Sequence, residues 1–109
     1  MKYQDDNYYI DSVLGGNVSS YALLVSKHKD LVFSIALKIL NNREDAEEIA
    51  QDAFLKAYQV LRTFERKSKF STWLYRITYN AAISKTRKKK LEYVGMDTSI
   101  IDNYSTDEI

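Results

Sequence analysis

Two groups of side chains in this chain have types and spacings suited to chemistry. The first is Tyr75, Arg76, Tyr79 and Asn80, followed by the run Arg87-Lys88-Lys89-Lys90. Tyrosine rings accept stacked bases for roughly 1–3 kcal/mol each, while Arg and Lys neutralise phosphates. Asn reads a base edge through paired hydrogen bonds. Aromatic and basic residues interleaved in this way are what an unpaired nucleic-acid strand requires. Tyr75 and Tyr79 equally suit the edge between two packed helices, and basic stretches also occur on plain solvated surfaces. The second group is acidic and amide-bearing: Glu44, Asp45, Glu48, Gln51, Asp52 and Gln59, with Leu55 among them. An apolar residue inside a rim of carboxylates is how a partner-docking face looks. A single exposed leucine without a role is just as ordinary, and the pattern leaves both readings open.

The charge of the chain separates along its length. Its 109 residues carry a net charge of only +1. Residues 1–61 sum to −3, residues 62–90 to +9 with Glu65 as their one acid, and residues 91–109 to −5. A basic block of that density, more than the overall balance, points to a polyanionic partner. There is no cysteine and no proline, and His28 is the only histidine. Disulfide scaffolding, thiolate metal sites and cysteine nucleophiles are thereby excluded, and a histidine cluster or triad has too few members. No apolar run approaches the roughly 18 residues that span a bilayer, and no signal peptide precedes the first charges. The chain reads as a cytoplasmic, helical domain that is not an enzyme and takes no cofactor.

The elements that must position these groups are all helices. Residues 8–14 predict a short helix stopped by Gly15-Gly16, and Asn17 or Ser19 offers a cap for the next segment, residues 21–30. A third run, residues 31–40, is almost wholly apolar and reads as the buried centre. Asn41-Asn42 interrupts the pattern and supplies an N-cap, with Glu44 and Asp45 in the favourable acidic first turn that follows. Residues 43–63 form the most regular helix, with Ala46, Ile49, Ala50, Ala53, Phe54, Ala57, Leu61 and Phe64 on one stripe. Leu55 falls on the opposite, acidic side. Residues 64–69 break the period as a charged loop. The last helix is predicted over 70–87, capped by Ser68 or Ser71, with Phe70, Trp73, Leu74, Ile77 and Ala81 buried. Tyr21, Phe33 and Tyr58 are assigned to the core. From Leu91 the chain turns acidic without periodicity. The expected fold is therefore all-α, a compact bundle of about four to five helices over residues 1–90, followed by a flexible tail over 91–109.

The stretches DAEEIAQDAFLKAYQVLRTF (45–64) and SKFSTWLYRITYNAAISKTRKKK (68–90), with YALLVSKHKDLVFSIALKIL upstream, resemble region 2 of a bacterial sigma factor of the extracytoplasmic-function group. The resemblance covers roughly residues 8–90. It implies that the helix over 43–63 docks on the clamp helices of the largest subunit of core RNA polymerase. Asp45, Glu48, Gln51, Asp52, Leu55 and Gln59 are then the polymerase-binding residues. It implies that the loop and last helix recognise the −10 promoter element and hold the melted non-template strand. Thr63, Glu65, Arg66, Lys67, Ser68, Lys69, Trp73, Arg76, Tyr79, Asn80, Arg87 and Lys88 are then the DNA-binding residues, although the helical position of Trp73 makes it mainly a core residue. An anti-sigma protein is a further implied partner, and no metal or membrane insertion is implied. The alternative is a sigma-like interaction domain that occupies polymerase or an anti-sigma protein without reading DNA.

Two departures from the family stand out. Its members commonly carry Arg-Gly-acid after the Phe that opens the specificity loop, whereas this chain has Glu65-Arg66-Lys67. Without that glycine the loop conformation, and the base it selects, are open. The family's second DNA-binding domain, which reads the −35 element, has no counterpart here. The tail from Glu92 looks like the start of the linker to it, so the chain is expected to be the N-terminal piece of a longer protein.

Overall fold

The computed structural model describes residues 3–95. Helix α1, Asp6–Leu14, starts where the Asp5 carboxylate accepts the Asn7 N–H at 3.1 Å. It stops at Gly15, and Gly16 follows with φ +113°, a backbone conformation that side-chain-bearing residues avoid. One turn of 3-10 helix, Val18–Ser20, leads into α2, Tyr21–Leu40. Neither Asn17 nor Ser19 caps α2, because the Ser19 hydroxyl donates to the Asn17 side chain instead. The two predicted segments over 21–30 and 31–40 are one continuous helix of 20 residues. Its inward stripe is Leu24, His28, Val32, Ile35 and Ala36. The charged stretch Lys27-His28-Lys29-Asp30 therefore does not break the period, since His28 is the member that turns inward. The apolar run 31–40 is not uniformly buried either: Leu31 is exposed, and a helix packed on one side can hide only part of its circumference.

Asn41 ends α2 in the left-handed conformation, φ 54°, which asparagine tolerates better than most residues. Asn42 then caps α3, Arg43–Gln59, by accepting the Asp45 N–H at 2.9 Å. The predicted helix over 43–63 thus ends at Gln59 and finishes as a separate 3-10 turn, Leu61–Thr63. Its apolar stripe is buried as expected, except that Ala50 is half-buried. Tyr58 departs from expectation and lies exposed. Tyr21 is half-buried, its hydroxyl donating to the Phe54 carbonyl at 2.6 Å, and burial pushes its pKa up.

Helix α4 runs Phe70–Tyr93, six residues past the predicted end and three past the expected domain boundary at 90. Lys69 occupies the N-cap position without a side-chain bond, so neither Ser68 nor Ser71 caps the helix. The buried line is Phe70, Leu74, Thr78 and Ala82, four residues apart throughout. Trp73, Ile77 and Ala81 flank it half-buried, so the inward face is rotated from the predicted one. Thr78 is tolerated at the centre because its hydroxyl donates to the Leu74 carbonyl at 2.9 Å. The remainder of the acidic tail, residues 96–109, lies outside the described residues.

The core has two parts. The larger joins α1, α2, α3 and the start of α4 around Ile10, Leu24, Val32, Phe54 and Leu74. The smaller joins α2, α3 and α4 around Ala36, Ala46, Ile49 and Ala82. Among the described residues there is no strand, and no helix is long and apolar enough to cross a membrane.

Candidate nucleic-acid and partner interfaces

The loop between the 3-10 turn and α4 is pinned at both ends by aromatic residues. Phe64 and Phe70 are buried, with their rings edge-on at 5.7 Å. Trp73 lies 4.9 Å from Phe64 and 5.8 Å from Phe70, and His28 supports Phe70 from α2 at 5.5 Å. Pairs of this kind add about 0.5–1.5 kcal/mol each beyond their buried area. The five residues between these anchors arch outward. They enclose a cavity of about 260 Å³ lined by Thr63, Phe64, Glu65, Arg66, Lys67, Ser68, Trp73 and Arg76. Most of the predicted DNA-binding residues therefore meet at one concave place, with an aromatic floor and charged walls. Lys69 is exposed beside it and does not line it.

Arg66 stands where the resemblance places glycine, and it adopts φ 64°. The left-handed conformation is thus kept without the residue that reaches it at no steric cost; for other residues it costs about 1–2 kcal/mol. The Arg66 side chain turns to α1, donating to Asp11 Oδ1 at 2.7 Å and to Asn7 Oδ1 at 3.3 Å. Lys67 and Glu65 form an exposed ion pair at 3.3 Å.

The remaining predicted DNA residues follow along α4. Arg76 and Tyr79 are exposed and Asn80 is half-buried. Tyr79 does not join the loop cavity. It lines a second, mostly apolar concavity of about 320 Å³ with Tyr75, Leu31, Ile35 and Ile39. Arg76, Asn80 and Arg87 share one side of the helix, spaced by four and seven residues. At 1.5 Å per residue, Arg87 and Lys88 lie roughly 17 Å beyond Arg76. The structure brings together the pocket residues and separates them from the basic end.

The acidic group on α3 divides in two. Gln51, Asp52, Leu55 and Gln59 are exposed, Leu55 at 57%. Asp45 and Glu48 instead reach across to α4: Lys89 bonds Asp45, and Lys85 meets Glu48 at 3.2 Å. The Lys89 hydrogen bond and the Lys89 and Lys85 charges hold the Asp45 carboxyl below the ordinary carboxylate range. The two charged faces, expected to be separate, are therefore stitched together at one end. Leu55 also has apolar neighbours that sequence reading missed. It shares a shallow concavity of about 400 Å³ with Val18, Tyr21, Ala22, Phe54 and Tyr58. The available signal was that Tyr58 sits three residues after Leu55, on an adjacent part of the helix surface.

This geometry meets its counterpart in known proteins. A family model, sigma-70 region 2, matches residues 24–92. The chain belongs to the sigma-70 region 2 family. Among its relatives is the ECF RNA polymerase sigma factor SigW of Bacillus subtilis, 42% identical over 84 residues, 77% of this chain and 45% of that protein. The ECF RNA polymerase sigma-E factor of Escherichia coli K12 is 35% identical over 77 residues, 71% of this chain and 40% of that protein. The chain thus spans less than half the length of these relatives. A solved structure, the complex of an engineered region 2 of sigmaE with GTAAAA, superposes with a TM-score of 0.76 at 31% identity. It covers 84% of this chain and 97% of that one. The region 2 match reaches Glu92, so all but the last residue of the α4 extension falls within it.

Proposed function

We propose that this region 2 is a transcription-initiation module that docks on core RNA polymerase through α3 and captures the melted −10 element through its loop cavity and α4. The observation that carries the reading is the loop cavity itself, floored by Phe64 and Trp73 and walled by Arg76. Asn80 lies one turn further along α4, and Tyr79 lies in a separate apolar concavity on the same helix. The relative with the same fold is in complex with GTAAAA, which supports assigning the cavity to a base of a single strand.

In this mechanism no bond is made or broken by the protein. Opening a duplex costs on average about 1.4 kcal/mol per base-pair step. Each base stacked on an aromatic ring recovers roughly 1–3 kcal/mol. One base in the cavity and one on Tyr79 therefore offset the opening of a few steps, trapping bases that open spontaneously. Arg87 and Lys88 hold phosphates, while Asn80 faces a base edge. Gln51, Asp52, Leu55 and Gln59 form the polymerase side, with Asp45 and Glu48 at its margin and Tyr58 and Val18 as its apolar border. Like charge keeps this side off DNA and steers it toward a basic protein surface. The module works in the cytoplasm, without cofactor or enzymatic activity, and an anti-sigma protein restrains it by covering these same surfaces.

Two measurements on the purified chain test the reading. Capture by core RNA polymerase is expected for the native chain and lost in a Leu55→Asp, Asp52→Lys variant. Single-stranded GTAAAA is expected to bind more tightly than its duplex. Equal capture of both chains removes the docking assignment. If Tyr79→Ala and Asn80→Ala leave strand binding unchanged, the module is an interaction domain that does not read DNA.

A further inference from the structure

One of the residues lining the loop cavity, Arg66, bonds across to α1. Phe64 and Phe70 fix only the ends of the loop. Among the described residues, the hydrogen bonds that tie residues 65–68 to another helix are those of Arg66 to α1. The two acceptors, Asn7 and Asp11, are four residues apart and so stand one above the other on the same face of α1. A planar guanidinium with two donors directed at such a ladder is fixed in orientation as well as position. Helix α1 is a firm support: Tyr9, Ile10 and Val13 are buried, and Asp6 is bonded by both Lys27 and His28 of α2. Arg66 also holds the left-handed backbone at the crest of the loop, φ 64°. The residues on either side of it, Glu65 and Lys67, both line the cavity.

We propose that Arg66 is a positioning residue: forked onto Asn7 and Asp11, it fixes the loop crest and thereby the direction in which Glu65 and Lys67 face a base in the cavity. The tether therefore sets how strictly bases are discriminated, while phosphate contacts on α4 set how tightly any strand is held. A flexible glycine at this place would leave the loop to be ordered by the strand. In this chain the loop is ordered beforehand by α1. The inference rests on the reading of the cavity as a base pocket.

The test uses Asp11→Ala, a substitution on α1 that alters no loop residue and reaches the loop only through the Arg66 guanidinium, with Asp11→Glu as the conservative rescue. The probes are single-stranded GTAAAA and its single-base variants. Trp73, the one tryptophan of the chain, reports on the loop through acrylamide quenching without DNA. Asp11→Ala is expected to raise quenching and to lower the best-to-worst base ratio at the most discriminated position by about two- to fivefold, leaving the salt dependence unchanged. Asp11→Glu is expected to restore the ratio. Unchanged quenching, an unchanged ratio, or an equal weakening of every strand overturns the tether. Absence of discrimination in the native chain overturns the base-pocket reading itself, and the two failures are thereby told apart.

Discussion

The two ends of α4 are held by opposite means. At its start, Phe70 is buried against Phe64, Trp73 and His28, and Leu74 has no exposed surface. Toward its end α4 itself contributes only Ala81 and Ala82 to the core, and Lys85 and Lys89 cross to Glu48 and Asp45 on α3. Packing of the first kind is specific in shape and insensitive to salt. Attachment of the second kind is soft, screened by ions, and made by the same cations that a nucleic-acid backbone would attract. On the function proposed above, a base pocket, which needs fixed walls, would fall at the aromatic end. A phosphate track, which needs only charge and reach, would fall at the other.

The largest expected effect comes from breaking the aromatic end. Phe70→Ala is expected to cost about 3–5 kcal/mol of stability, because the ring is buried against Phe64, Trp73 and His28 and its loss opens a cavity. Urea denaturation measures this directly. A loss no larger than that of a surface lysine would mean that the two ends are not held differently.

On the other end the expected change is in binding. Replacing Arg87 and Lys88 with alanine is expected to flatten the salt slope of single-strand binding by about 0.7 for each phosphate that is no longer neutralised. Weakening should be similar for every sequence. Asn80→Ala is expected to alter base preference with the slope nearly intact. An equal flattening by both changes would erase the division between pocket and track.

A third test concerns α1, which supports the aromatic end. Burial alone would raise the Asp6 carboxyl, but hydrogen bonds and charges from Lys27 and His28 outweigh it and leave its pKa below the ordinary value of 3.8. A carboxylate depressed in the folded state stabilises most above its unfolded pKa and loses that contribution as pH falls through the folded value. The stability gap between the native chain and Asp6→Asn is therefore expected to be steady from neutrality down to about pH 4, then to close below it. A gap that instead closed well above pH 4 would assign the effect to another group.

How much of this was legible in the sequence differs between the same two ends. The helices were visible because apolar residues recur at helical spacing, and α3 with its stripe was read almost residue by residue. The loop was visible as a charged interruption between Phe64 and Phe70. Three features were not visible, each because a distant segment decides it. His28 is accepted on the inward stripe because Asp6, 22 residues earlier, meets its ring at 2.9 Å and Phe70 packs against it. Thr78 displaces Ile77 from the inward line because α4 lies against α2 and α3 along that line. Arg66 keeps a glycine-like backbone because Asn7 and Asp11 stand within reach of it, 59 and 55 residues away in sequence. The extension of α4 past residue 87 was hidden for another reason. Lys88, Lys89 and Lys90 carry no apolar period, yet lysine is a good helix former, and Asp45 supplies Lys89 with a partner.

The smallest expected effect tests the soft end itself. The Lys85–Glu48 pair is partly exposed on both sides, so its loss in Lys85→Ala is expected to cost only about 0.2–1 kcal/mol. That cost should shrink toward zero in high salt, whereas the Phe70→Ala penalty should not. If the ion pairs are soft attachments and nothing more, releasing Lys85 from Glu48 leaves the fold intact and only adds a freed carboxylate to the negative side of α3. A salt-independent loss of several kcal/mol would show instead that the clasp between α3 and α4 is a second structural anchor, and the contrast between the two ends would disappear.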